Sequence, residues 1–287
     1  MSNFLIVGLG LLGGSYAKAL KAAGHHILAI DVDMAAIDYA LEQEIIDEGS
    51  GQPDEYMIGR ADAAVFALYP GIFKDWIREN QRFFKPGIYI TDVTGVKENV
   101  VYEIQDMLRK DVEYIPAHPM AGREVGGVIN SDAAIFRGAN YIVTPTEKNT
   151  PEAIEWCTGL GYALGCRKVS VLSPKEHDLM IAYVSQLTHA IAVSLMTCSE
   201  NAHLVDYTGD SFRDLTRIAN INDVMWSELF LANKESLLTE MDAFEKEFHA
   251  IRDMVANEDT DELKAKMRLS KVRRQLFNKT EIEEKQS

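Results

Sequence analysis

The sequence predicts an α/β fold, a doubly wound parallel sheet followed by an all-helical region, on three observations. Short apolar runs of strand length alternate with segments of helical spacing as far as residue 171. A glycine-rich turn follows the first of those runs. Past residue 171 the strand signals stop and only helical spacing remains. The chain therefore divides into 1–171 and 172–287.

Taken in order, residues 4–8 are an apolar run, 11–23 are helical, 26–31 form a second strand and 34–43 a second helix. Further strands are expected at 61–68, 88–92 and 112–116, with helices at 73–83 and 97–109 between them. Strands at 140–144 and 166–171 flank a helix at 151–162, which Thr150-Pro151 opens with an N-cap and a proline at the first helical position. Ser173-Pro174-Lys175-Glu176 reads as a capping box. It starts a long apolar helix that runs to about Cys198. Residues 212–219, 223–255 and 258–277 are helical by pattern, and the charged tail 280–287 is expected to fray.

Composition excludes several classes. The net charge of −15 gives no basic footprint for nucleic acid. It also means that an anionic ligand must be met by local cations. Three cysteines, none in a C-x-x-C, argue against a disulfide framework or a metal site and fit a reducing cytoplasm. No basic segment precedes the first strand, so the N-terminus does not read as a signal peptide. Residues 179–197 lack Lys, Arg, Asp and Glu and approach a bilayer span. They hold Ser185, Gln186, Thr188, His189 and Ser194, and no cationic cluster flanks them, so a helix buried within protein is expected rather than a membrane helix. Such a helix must be covered on every side. The helical half is small for that task, which predicts a homodimer through it.

Gly8-Leu9-Gly10-Leu11-Leu12-Gly13 is a G-x-G-x-x-G between a strand and a helix, the context that a Rossmann-like dinucleotide site requires. Gly8 permits the tight turn, Gly10 the approach of a pyrophosphate, and Gly13 close packing of helix on strand. The pyrophosphate then meets the helix N-terminus at Leu11, Leu12 and Gly13. Asp31 ends the second strand where a carboxylate accepts from ribose hydroxyls and repels a 2′-phosphate, which points to NAD.

The strand at 112–116 delivers Ala117-His118-Pro119-Met120-Ala121-Gly122-Arg123-Glu124 at its carboxyl end, the edge where open α/β sheets bind ligands. This H-P-M-A-G-x-E resembles the active-site motif of prephenate dehydrogenases. So do residues 8–15 (GLGLLGGS), 92–97 (DVTGVK) and 212–219 (FRDLTRIA), together with Met225-Trp226 and Asn233-Lys234. The matches run in order from the N-terminus to about residue 235.

The resemblance implies NAD-dependent oxidative decarboxylation of prephenate to 4-hydroxyphenylpyruvate. Arogenate is the near alternative substrate and 4-amino-4-deoxyprephenate a remote one. His118 would be the general base, Arg217 the grip on a substrate carboxylate with Asp214 orienting it, and His189 a side-chain contact. Glu124 would stand at the cleft mouth, against Arg217 or solvent. His177 and Asp178 match a family pair without an evident role. Three departures stand out. Gly95 replaces a family serine, so Thr94 would have to supply the hydroxyl. Gln186 and Thr188 replace a histidine and a proline. Arg123 replaces a small polar residue, adding a cation for the substrate or for solvent. A non-catalytic NAD-binding sensor is the competing class, which a base beside the nicotinamide argues against. No fused mutase or added regulatory domain is expected.

Overall fold

Runs rich in valine, isoleucine and alanine form the centre of the molecule because both of their faces are covered. In the computed structural model, which describes residues 1–277, six strands make one parallel sheet in the order β3-β2-β1-β4-β5-β6. They are β1 (Asn3–Val7), β2 (His26–Ile30), β3 (Glu48–Ser50), β4 (Ala63–Phe66), β5 (Ile88–Asp92) and β6 (Val112–Tyr114). Register is set by the alternation of side chains. Leu5 faces Leu28 on one side and Ala64 on the other. Phe4 and Ile6 project into one apolar cluster with Ala29 and Val65, while Leu5 and Val7 project into the opposite one with Leu28 and Phe66. The strand order reverses between β1 and β4, which opens a crevice at the carboxyl edge. A second sheet has the order β7-β8-β9: β7 (Ala117–Pro119) antiparallel to β8 (Asn140–Val143), and β8 parallel to β9 (Lys168–Val171).

The helices are α1 (Leu11–Ala22), α2 (Met34–Glu42), α3 (Glu55–Arg60), α4 (Pro70–Asn80), α5 (Glu98–Met107), α6 (Pro151–Ala163), α7 (Pro174–Ile181), α8 (Thr188–Thr197), α9 (Asp210–Thr216), α10 (Asp223–Ala232), α11 (Lys234–Ala256) and α12 (Thr260–Gln275). Thr150 caps α6 through the Ala153 N–H, and Ser173 and Glu176 close the capping box of α7. The predicted doubly wound sheet followed by helices is what forms. The expected tail at 280–287 lies outside the described residues.

The departures have local causes. β3 (Glu48-Gly49-Ser50) and β7 (Ala117-His118-Pro119) hold no β-branched or large apolar residue, so their composition does not read as strand. The helix expected at 223–255 breaks at Asn233, whose side-chain amide is drawn into buried bonds with the Asp178 carbonyl and with Gln186 Oε1, both 2.8 Å. The helix expected from Ser173 to Cys198 runs through a π-helical stretch at Ala182–Leu187. Its own chain does not bury it: only 28% of its most apolar window is covered, and Leu179, Met180, Tyr183, Val184 and Met196 stay exposed.

Two compact units result, residues 1–237 and the segment from Leu238 onward. In the second, Leu238, Met241, Phe244, Phe248, Ile251 and Val255 form an exposed apolar stripe on α11. Lys266 on α12 pairs with Glu247 at 2.7 Å. None of its described hydrophobic residues is buried.

Candidate active site

The glycine turn is built as its spacing requires. Gly8 has φ +95, and a Cβ there would lie 2.5 Å from the Ala67 carbonyl oxygen. A Cβ on Gly13 would fall 1.8 Å from the Gly8 carbonyl oxygen. Around Gly10, by contrast, nothing lies within 4 Å of a Cβ position, so the fold itself does not need a glycine here. That open space is a fit for a group lying against the backbone. No side chain caps α1, and its first turn holds no acid. The opening N–H groups, at Leu11, Leu12 and Gly13, therefore face the crevice with the positive end of the helix dipole. Asp31 lies against the turn, accepting from the Leu9 N–H and, at 2.8 Å, from the Asp33 N–H. The residues present fit a dinucleotide.

At the same carboxyl edge, with β4 between it and β1, β5 ends in a buried polar knot. Lys97 is wholly buried, and its ammonium donates to Asp92 Oδ2 and the Ala117 carbonyl, both at 2.6 Å, and to Thr94 Oγ1 at 3.2 Å. Asp92 Oδ1 accepts from the Tyr114 hydroxyl at 2.9 Å and the Ala117 N–H at 3.2 Å. Burial pulls the Lys97 ammonium below its ordinary value while the Asp92 carboxylate pushes it back. The knot ties β5 to β7, the strand that carries His118.

His118 pairs with Ile142 in register, and its ring reaches the helical residues. Its Nδ1 is 2.9 Å from His177 Nε2, and His177 Nδ1 is 2.7 Å from Asp178 Oδ1. Burial first, then electrostatic coupling to the His177 ring and the Lys97 ammonium, hold the His118 imidazole well below its ordinary 6.5. Gly95 faces the same ring: a Cβ there would stand 3.9 Å from His118 Cε1 and 3.5 Å from Leu229.

A second cluster stands on α8, α9 and α10. His189 Nδ1 lies 2.9 Å from the Ser185 carbonyl, and the ring stacks on Trp226 with centroids 3.7 Å apart. Burial lowers the His189 pKa, and the charges of Glu124 and Arg217 act on it in opposite directions. Arg217 pairs with Glu124, which joins the turn after α9 to the loop after His118. Glu124, Arg217 and His189 thus come together.

Three expected residues lie elsewhere. The Thr94 hydroxyl is buried against Asp92 and the Val96 carbonyl, and does not replace the hydroxyl missing at Gly95. Arg123 is half exposed and turns to Asp132 at 3.5 Å. Asp214 makes no ion pair among the described residues; Arg217 takes Glu124 instead. Sequence reasoning gave no role to His177, Asp178, Gln186 and Asn233. The family matches at His177-Asp178 and Asn233 marked three of them without a role, and the buried polar character that gives them one, since buried polar groups demand partners, is visible only in the fold.

The model of the prephenate dehydrogenase nucleotide-binding domain matches residues 16–178, and that of the prephenate dehydrogenase dimerization domain matches residues 173–269. Prephenate dehydrogenase of Bacillus subtilis is 31% identical over 271 residues, which span 91% of this chain and 72% of that protein. The crystal structure of A. aeolicus prephenate dehydrogenase with hydroxyphenyl propionate and NAD+ superposes with a TM-score of 0.88 at 30% identity, covering 97% of this chain and 99% of that one. Synechocystis arogenate dehydrogenase, at 21% identity and a TM-score of 0.80 over 96% of this chain and 99% of that one, shares the fold. The chain belongs to the prephenate dehydrogenase family.

Proposed function

We propose that the chain is an NAD-dependent prephenate dehydrogenase of tyrosine biosynthesis, acting in the cytoplasm. The observation that carries this reading is the place of His118, on the strand that Lys97 fastens to the carboxyl end of β5, with its ring hydrogen-bonded to His177 at 2.9 Å. Residues 1–171 bind the nucleotide, through Gly8, Gly10, Leu11, Leu12, Gly13 and Asp31. Residues 172–287 complete the substrate site and the dimer. NAD, when bound, supplies the hydride acceptor for C4 of the substrate.

His118 Nε2 accepts the C4 hydroxyl proton as the carbonyl forms. Loss of CO2 then makes the ring aromatic, and the proton returns to the phenolic oxygen. The products are 4-hydroxyphenylpyruvate, CO2 and NADH, with no net proton. Arg217 grips a substrate carboxylate, for which it leaves Glu124. His189, braced on Trp226, contacts the substrate side chain. The test is NADH absorbance with prephenate and, separately, arogenate, each with NAD and NADP. Turnover of prephenate with NAD is expected; cofactor binding without turnover of either substrate would return the chain to a sensor.

Arg217→Ala is expected to raise KM for prephenate about 10- to 100-fold, with a smaller change in kcat. Steady-state kinetics check this, and an unchanged KM removes Arg217 from the site. The exposed apolar faces of the helix Pro174–Thr197 and of α11 are read as dimer surface. Sedimentation at micromolar concentration should therefore give the mass of two chains, and the mass of one chain refutes the dimer.

A further inference from the structure

The polar chain behind His118 has a direction that hydrogen-bond bookkeeping fixes. Asp178 is buried, and its two carboxylate oxygens accept from the start of α5: Oδ1 from the Lys97 N–H at 2.9 Å and Oδ2 from the Glu98 N–H at 2.8 Å. A carboxylate so placed is an acceptor only. The third partner on Oδ1, His177 Nδ1 at 2.7 Å, must then carry its proton. His177 is fully buried and uncharged in its resting state, so its Nε2 is a lone pair. That lone pair faces His118 Nδ1 at 2.9 Å, which makes His118 Nδ1 the donor. The His118 proton is then on Nδ1, and Nε2 is left bare.

Among the described residues this is the single hydrogen bond that the His118 ring makes. Gly95 offers it no side chain, and the neighbouring Thr94 hydroxyl is committed to Asp92. We propose that His177, anchored by Asp178, is the positioning residue of the reaction: it selects the His118 tautomer with a basic Nε2 and aims that nitrogen. This rests on His118 being the base of the proposed reaction. As His118 takes a proton, the charge is stabilised through His177 toward the Asp178 carboxylate. Asp178 is itself fixed from three sides, by the two N–H groups of α5 and by Asn233, which binds its carbonyl at 2.8 Å.

The experiment compares His177→Leu and His177→Gln in the intact enzyme with prephenate and NAD. Leucine fills similar space and accepts nothing; the glutamine side-chain oxygen can accept from His118 Nδ1–H. Leucine is expected to lower kcat about 10- to 100-fold with both KM values within about 3-fold, and glutamine to restore most of that loss. An unchanged kcat with leucine overturns the proposal. So does a glutamine variant no better than leucine, because a purely structural role gives no such rescue. Nitrogen-15 imidazole spectra of the wild-type enzyme decide the matter should the leucine variant not fold. A protonated Nδ1 and bare Nε2 on His118 support the relay, and the reverse tautomer overturns it. A wild-type enzyme inactive on prephenate would fail the functional reading alone, since the spectra test the relay without turnover.

Discussion

His118→Asn is expected to lower kcat by about 10²- to 10⁴-fold, the usual worth of a positioned general base, and to leave NAD affinity within a few-fold. Asparagine keeps a polar atom near the position of Nδ1 and can still meet His177, so the local packing should survive. What it lacks is the second nitrogen. The glycine turn and Asp31 stand on β1, α1 and β2 and do not depend on this side chain. Initial rates of NADH formation and a separate titration of NAD check the two halves of the expectation. The wild-type pH profile adds a third. A base must be neutral to accept a proton, and burial lowers the pKa of His118. The acid limb of kcat/KM should therefore fall on the acid side of 6.5, with the rate sustained as pH drops through that value. A limb above 6.5, or one that persists in the asparagine variant, would assign it to another group. Because His177 is coupled to His118, the limb belongs to the pair.

Lys97→Met should cost about 3–5 kcal/mol of folding stability, the range for removing one partner of a buried ion pair. Both Lys97 and Asp92 are entirely buried at 2.6 Å separation. The variant leaves the Asp92 charge without its counter-ion and the Ala117 carbonyl without its ammonium donor. Denaturant unfolding measures the loss, and a change under 1 kcal/mol would show that water or rearrangement replaces the ammonium. Adding Asp92→Asn should recover part of it, because a neutral amide in that place needs no counter-ion. The residual donors, Tyr114 and the Ala117 N–H, can still serve an amide oxygen. Activity should fall with stability, since Ala117 immediately precedes His118, the proposed base.

The elements legible in the sequence are those whose cause is local. The alternation of β1, α1 and β2, the glycines at 8, 10 and 13 and the capping box at Ser173 each depend on neighbours a few residues away. β3 and β7 escaped because Glu48-Gly49-Ser50 and Ala117-His118-Pro119 lack the β-branched and large apolar residues that mark a strand, and only pairing with distant partners makes them one. The break at Asn233 escaped because its partners, Asp178 and Gln186, are 55 and 47 residues distant. The candidate site divides in the same way. His118 stood out through the proline and glycine around it. Its contact with His177 spans 59 residues, and the pairing of Arg217 with Glu124 spans 93. Spacing could therefore name these side chains but not join them. It also suggested Thr94 as a substitute hydroxyl, whereas a serine- or threonine-like oxygen beside a buried carboxylate is taken up by that carboxylate first.

The proposed base, His118, and the glycine turn ride on different sheets. β1, which leads into the glycines, lies at the heart of the six-stranded sheet, and β7 belongs to the three-stranded one. In the proposed reaction, the span between the acceptor of the C4 hydride and the acceptor of the C4 hydroxyl proton is thus a property of the seam between two slabs, and the Asp92–Lys97–Ala117 knot is its rivet. Substitutions that loosen this rivet, though they touch no ligand, would present in kinetics as lesions of the chemical step.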